Sequence, residues 1–458
     1  MTTQRLSFAI AALLAGQAIL CAADQELAAD TGEARPNIVL ILADDLGYGD
    51  LGCYGHPVAK TPHIDRLAAQ GVRFTQYYSN GAECTPSRTA LLTGRYQHRV
   101  GGLECAIGTG NVGRYDDAIR LAARRELGLP AEQAVLPGAL KDAGYACGIF
   151  GKWHLGYEPK FHPIVHGWDA FFGYLGGNVH YFNHRELSEL HVLFRDRQPV
   201  RAEGYMTHLI TDAAIDFVQR HRERPFFLFV SHESPHFPFQ GPRDRDKLVT
   251  AENWTHPDAA TYVAMLEDLD SEVGRLLVAL EQRGLAENTL VVFVSDNGGF
   301  AGAAHMGPLR GAKSTTFEGG IRVPLILRWP GRIRAGTQSD QVSATVDLTR
   351  SFVQLAGARV PAERLDGYDT IGHVVQRRAD VARILFWRER RGDQTWWAVR
   401  DGDWKYVRKA DGNESEEWLF DLAKDLNEQR SLLTDQPAKT EQLKASLRDW
   451  ETQVRSAR

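Results

Sequence analysis

Ile38-Val39-Leu40-Ile41-Leu42-Ala43, followed at once by Asp44-Asp45, is the stretch that decides the fold. Six apolar residues without alternation read as a strand covered on both faces, as in a parallel sheet. Three further runs have the same character: Ala146 to Phe150, Phe226 to Ser231 and Leu290 to Ser295. Helical patterns lie between them. The clearest runs from about Asp258 to Arg283, with Tyr262, Met265, Leu266, Leu269, Val273, Leu276, Leu277 and Leu280 on one face and Gly284 as a stop signal. Strands alternating with helices predict a doubly wound α/β fold with a mainly parallel sheet.

From about Arg350 the pattern changes. Gly357 to Gly367 is loop-like, and short aromatic runs follow at Ile384 to Trp387, Trp396 to Val399, Trp404 to Val407 and Trp418 to Phe420. Turn signals such as Asp401-Gly402-Asp403 and Asp411-Gly412-Asn413 separate them, which predicts a small antiparallel sheet. Leu432 to Val454 reads as a closing helix. The expected organisation is therefore a leader over 1–23, a main domain over 36–357 and a C-terminal α+β subdomain over 358–458.

The 458 residues include 43% hydrophobic and 24% charged, an ordinary globular composition. A formal net charge of -5 predicts no general affinity for nucleic acid. An anionic substrate would be held by a few local cations. Arg5, the apolar stretch Phe8 to Leu20 and the small residues Cys21-Ala22-Ala23 have the form of a cleaved export signal. The run is too short for a spanning helix, which needs roughly 20 apolar residues. Acylation at Cys21 is disfavoured by the bulk of Leu20. No later segment reads as a membrane span, so no stable membrane insertion is expected. Of the remaining cysteines, Cys53, Cys105 and Cys147 read as small buried residues, with any disulfide pairing among them left open.

Each of the four runs leads into polar residues: Asp44-Asp45, Gly151-Lys152-Trp153-His154, His232 with His236, and Asp296-Asn297-Gly298-Gly299. Ligands in open α/β sheets bind beyond the carboxyl ends of the strands. Any one of these groups is an ordinary turn; four together at one edge point to a site. Asp44, Asp45, Asp296 and Asn297 offer hard oxygen ligands, suited to Ca²⁺ or Mg²⁺ and not to zinc. Three carboxylates crowded together repel one another without a cation.

The most specific segment is Cys84-Thr85-Pro86-Ser87-Arg88-Thr89-Ala90-Leu91-Leu92-Thr93-Gly94. It reads as a loop entering a helix, with Pro86 at the first helical position. A helix N-terminus and Arg88 favour an oxyanion. They also predict a lowered thiol pKa, so the residues by themselves describe Cys84 as a cysteine nucleophile.

This segment matches C-x-P-S-R-x-x-x-x-T-G, the signature of the type I sulfatase family of the alkaline phosphatase superfamily, at each fixed position. Other segments are similar to the family's motifs, in the family's order. They are Pro36 to Asp50, Gly151-Lys152-Trp153-His154-Leu155-Gly156, Ser231 to Pro238, and Gly311 to Arg322. Glu83 and Ala312 depart from the pattern, which has a small or apolar residue before the cysteine and commonly glycine at the second position.

The resemblance implies an alkaline-phosphatase-like fold and a formylglycine made from Cys84 by a separate formylglycine-generating maturation enzyme. It implies a Ca²⁺ held by Asp44, Asp45, Asp296, Asn297 and the modified residue. A hydrated aldehyde attacks sulfur, while Arg88, Lys152 and Lys313 stabilise charge on it and on the sulfate oxygens. His236, with Lys313 nearby, protonates the leaving alcohol, and His154 is the base that releases sulfate. Lys152, His236 and Lys313 double as sulfate-binding residues, and His180 is a candidate substrate contact. His56, His63, His98 and His232 are unassigned, and the C-terminal tryptophans read as core.

Glu158 to Gly173 is similar to the corresponding stretch of N-acetylgalactosamine-6-sulfatases and their bacterial relatives, although the same residues also serve simply to pack the loop. The expected substrate is a sulfated glycan, with galactose or N-acetylgalactosamine 6-sulfate first, met in the periplasm, outside the cell or in a lysosome-like lumen. Two alternatives stand: a phosphate or phosphonate monoester hydrolase of the same superfamily, and a non-catalytic glycan-binding protein.

Overall fold

The computed structural model describes residues 35–109 and 115–455; the expected leader lies outside them. Ten strands form one mixed sheet. In chain order they are β1 (Asn37–Ala43), β2 (Val72–Phe74), β3 (Ala146–Lys152), β4 (Ala170–Tyr174), β5 (Leu193–Arg195), β6 (Gln198–Pro199), β7 (Phe226–Ser231), β8 (Thr289–Ser295), β9 (Leu325–Arg328) and β10 (Thr337–Ser339). The spatial order is β10-β2-β9-β8-β1-β7-β3-β4-β5-β6. The central strands β8, β1, β7, β3 and β4 run parallel, and these are the expected apolar runs with β4 added. Antiparallel strands β9 and β5 turn the sheet at its flanks.

Both faces are buried. Along β1, Ile38, Leu40 and Leu42 pack into one core and Val39, Ile41 and Ala43 into the other, as the two-residue period of a strand requires. Helices α2 (Cys84–Thr93) and α5 (Thr345–Leu355) cover the first face. Helices α1 (Pro62–Ala69), α3 (Met206–His221) and α4 (Ala259–Gln282) cover the second. The doubly wound α/β class is thus observed. Helix α4 stops one residue short of the expected end, and Gly284 takes the left-handed φ of +67° that the stop requires.

The aromatic runs form a separate antiparallel sheet of β11 (Ile384–Arg391), β12 (Gln394–Asp401), β13 (Trp404–Asp411) and β14 (Glu414–Asp421). Asp401 pairs with Trp404 and Asp411 with Glu414, leaving two-residue loops led by Gly402 and Gly412 at φ +59° and +58°. One face, with Leu385, Trp387, Trp396 and Phe420, packs on Tyr78, Ala90, Phe317 and Ile321 of the main sheet's periphery. The other face takes the closing helix α6 (Pro437–Gln453) through Leu443, Leu447 and Trp450. Trp387 is 1% and Trp396 8% exposed, so both serve as core. Among the described residues no helix is long and apolar enough to cross a membrane, and Cys53, Cys84 and Cys147 are free.

Candidate active site

The carboxyl ends of β1, β7, β8 and β3 lie side by side, so their terminal residues share one edge. Asp44 and Asp45 follow β1, Asp296 and Asn297 follow β8, and Lys152 is the last residue of β3, one step inside the strand where a loop was expected. Gly151 lets β3 and β7 close tightly here: it has φ +114°, and a Cβ on it would sit 1.9 Å from Ser231 O. Helix α2 brings Cys84 to the same point.

Two details of α2 differ from expectation. The helix begins at Cys84 itself, so Pro86 is its third residue. The thiol is also not acidified. Burial, then the Asp296 and Asp44 carboxylates, push Cys84 well above its ordinary value, outweighing Lys152 and Lys313. In this pocket burial and negative neighbours overcome the helix terminus, so an unmodified thiolate nucleophile is disfavoured.

Cys84 Sγ lies 3.2 Å from Asp44 Oδ1, 3.7 Å from Asp45 Oδ1 and 3.5 Å from Lys313 Nζ. The Lys152 ammonium donates to Asp44 Oδ2, and Lys313 Nζ donates to Asp45 Oδ2 at 2.7 Å. Arg88 Nε donates to Asp296 Oδ2 at 3.0 Å, and its Nη1 to Ser231 Oγ at 2.6 Å and the Lys152 carbonyl at 3.1 Å. Burial lowers both lysines, but Asp44 beside Lys152 and Asp45 beside Lys313 more than offset it, so both remain ammonium.

The acidic set has the chemistry of a hard-cation site. Burial and Asp296 push the Asp44 carboxyl up, against the pull of Lys152 and Arg88. Asn297 Nδ2 donates to Asp45 Oδ1 at 2.7 Å, while its Oδ1 is buried with no hydrogen-bond partner. A buried carbonyl oxygen without a donor, among crowded carboxylates, is what a bound cation would satisfy. Ligand atoms of Asp44, Asp45, Cys84 and His236 also lie within 4.8 Å of one another.

Two histidines complete the cluster. His236 Nδ1 donates to the Phe237 carbonyl at 2.6 Å, which leaves Nε2 to accept from Lys313 Nζ at 3.1 Å. His154 Nε2 donates to the Ile107 carbonyl at 2.5 Å, and its buried Nδ1 has no hydrogen-bond partner. Burial and neighbouring ammonium groups pull both rings well below the ordinary histidine value, Lys313 for His236 and Lys152 for His154. Both are neutral at neutral pH.

Cys84, His154, His236 and Lys313 line a cavity of about 750 Å³, large enough for a sugar unit. Phe237, Trp254 and Phe300 supply apolar wall; Thr109, Asn178, Glu186 and Ser188 supply polar groups. Arg88 and Lys152 do not line it. Neither does His180. Its Nδ1 accepts the Phe182 and Asn183 amides, each at 3.2 Å, and its Nε2 faces Gln240. Ile107, Thr109, Glu186 and Ser188 carry no sequence signal that marks them.

A family model described as Sulfatase matches residues 36–358, and one described as N-sulphoglucosamine sulphohydrolase, C-terminal, matches residues 312–456. Over 392 residues the chain is 37% identical to N-acetylgalactosamine-6-sulfatase of Canis lupus familiaris, covering 81% of this chain and 71% of that protein. It is 34% identical to arylsulfatase A of Homo sapiens over 421 residues, covering 83% and 76%. The crystal structure of Ps i-CgsB in complex with k-i-k-neocarrahexaose superposes with a TM-score of 0.79 at 30% identity, covering 91% of this chain and 93% of that one.

Proposed function

Since the chain belongs to the sulfatase family and is a sulfuric ester hydrolase, we propose that it removes sulfate from galactose-type units of a sulfated glycan, 6-sulfate first. The observation that carries this reading is the meeting of Lys313 and His236 at 3.1 Å beside Cys84, at one end of a sugar-sized cavity. The cavity's mixed wall suits a sugar, which has apolar faces and hydroxyl edges. A relative named for N-acetylgalactosamine 6-sulfate, and a structural relative holding neocarrahexaose, support the choice of substrate.

In this reading Cys84 is converted to formylglycine by a maturation enzyme. Its hydrated aldehyde supplies one hydroxyl to take the sulfuryl group and a second whose deprotonation expels sulfate. Asp44, Asp45, Asp296, Asn297 and residue 84 would hold the Ca²⁺, whose charge offsets the crowded carboxylates and polarises sulfate oxygens. Arg88 and Lys152 hold Asp296 and Asp44 in place and add positive charge behind the reacting group. Lys313 holds a proton against His236 Nε2, and the pair delivers it to the leaving sugar oxygen. His154, neutral and with Nδ1 free, accepts the proton that releases sulfate. The leader 1–23 would place this chemistry outside the cytosol.

Sulfate release from 4-sulfated and 6-sulfated N-acetylgalactosamine, with peptide mass spectrometry of residue 84, tests the reading. Release from the 6-isomer and an aldehyde at residue 84 are expected. Release from the 4-isomer alone refutes the position, and activity confined to small aryl or choline sulfates refutes the glycan. Full activity with an unmodified thiol refutes the mechanism; faster turnover of an aryl phosphate than of an aryl sulfate favours the monoester-hydrolase alternative.

A further inference from the structure

Glu83, the departure from the family pattern, is 2% exposed and directly precedes Cys84. Its Oε1 accepts Ser314 Oγ at 2.7 Å and Arg391 Nε at 2.9 Å. Its Oε2 accepts the Ala106 amide at 2.6 Å and Arg391 Nη2 at 2.9 Å. Burial pushes this carboxyl up, but Arg391 and these donors more than reverse it, so Glu83 stays charged.

Each donor belongs to a different part of the site. Ser314 follows Lys313. Ala106 precedes Ile107, whose carbonyl fixes His154. Arg391 ends β11 of the C-terminal sheet. Two residues earlier, on the same face of that strand, Glu389 Oε1 accepts the Ala82 amide at 2.7 Å. The end of β11 therefore grips the chain just before the nucleophile at two points.

We infer that Glu83 and Arg391 form a positioning pair for the reaction: the C-terminal sheet, through Arg391, locks one carboxylate that sets Cys84, the Lys313 loop and the His154 support in register. Neither residue transfers a proton or holds the cation. The pair acts by fixing the spacing of groups that do, where a displacement of about 1 Å can cost 10²-fold in rate. This deepens the proposed function, and its activity arm rests on that reading.

The test compares Glu83→Gln, Arg391→Gln, Arg391→Lys and the double Glu83→Gln/Arg391→Gln variant. Arg391→Gln leaves the segment Cys84–Gly94 untouched, so any loss there is separate from recognition of that segment during maturation. With 4-nitrophenyl sulfate, and rates divided by formylglycine content, both Gln variants should lose about 10- to 100-fold in kcat with KM nearly unchanged. Arg391→Lys should recover part of the loss, and the double variant should fall no further than the worse single one. Hydrogen–deuterium exchange reads the tether without turnover: amides over 105–107 and 312–315 should exchange faster in both Gln variants. Wild-type exchange in both segments overturns the inference, as does a raised KM with kcat held, which would make Arg391 a substrate contact. A wild-type protein inactive on every sulfate ester sinks the proposed function, while the exchange result still decides the tether.

Discussion

Replacing His236 by alanine should separate leaving-group protonation from every other role in the site. His236 Nε2 lies 3.1 Å from Lys313 Nζ and 3.4 Å from Asp45 Oδ2, while Nδ1 is occupied by a carbonyl. The ring is neutral and Lys313 is charged, so the pair holds one mobile proton. A positioned proton donor is worth about 10²–10⁴ in rate, or about 2.7–5.4 kcal/mol at 1.36 kcal/mol per tenfold. That help is needed in full when the leaving group is a sugar alkoxide and scarcely at all when it is nitrophenolate. His236→Ala should therefore lose about 10²–10⁴ in kcat/KM on a sugar 6-sulfate, and about tenfold or less on 4-nitrophenyl sulfate. The assay is kcat/KM on both substrates at one Ca²⁺ concentration, with near-ultraviolet circular dichroism to confirm packing against Phe237. Equal losses on the two substrates would refute the reasoning, because the ring would then act on the nucleophile or on the fold.

Asp296→Ala, with Asp296→Asn as the conservative companion, should lose bound Ca²⁺ by elemental analysis and lose activity with it; wild-type activity in both would remove the proposed site. Lys405 is buried between Glu318 at 2.8 Å and Glu428 at 2.9 Å, tying β13 to the short helix Glu318–Ile321. Lys405→Met should cost about 3–5 kcal/mol, read by urea denaturation, because two buried carboxylates lose their nearest cation. Burial raises Glu318, but Lys405, then Arg322 and Arg400, hold it well below its ordinary 4.5. Its contribution is thus present above that value and lost as pH falls through the lower folded one. Lys405→Met should flatten this acid limb of the stability curve, and an unchanged limb would assign it elsewhere.

The central strands were legible because a strand covered on both faces is apolar at successive positions, as Ile38 to Ala43 and Phe226 to Ser231 are. The flanking strands β2 and β10 are three residues long and carry no such run, and β9 offers only Leu325-Ile326-Leu327, so the sheet's width was not readable. The residues that the fold gathers at one sheet edge were legible where a strand ended in charge or a dense motif marked them, as with Asp44, Cys84 and Asn297. His180 was read from its neighbourhood in sequence, which does not show that its Nδ1 is taken by the Phe182 and Asn183 amides. The thiol's acidity was misjudged for a related reason. A helix N-terminus is visible in sequence, whereas burial beside Asp44, 40 positions away, and Asp296, far later in the chain, is not. Glu83 looked like an anomaly because Arg391 and Ser314 are distant in the chain.

Those long-range pairings also bear on how the molecule comes into being. In β1, Ile38 pairs with Phe227 and Asn37 with Thr289, about 190 and 250 positions away, and the grip on Glu83 waits for Arg391. Parallel strands this far apart pay loop-closure entropy before any contact rewards them, so the sheet closes late. A growing chain exposes residue 84 before Lys152, Asp296 and Lys313 exist. In the finished fold Cys84 is 1% exposed, at the edge where four strand ends meet. The proposed conversion of that sulfur by another protein would therefore have a deadline: the interval between the segment's emergence and the closing of the sheet, a race set by folding rate.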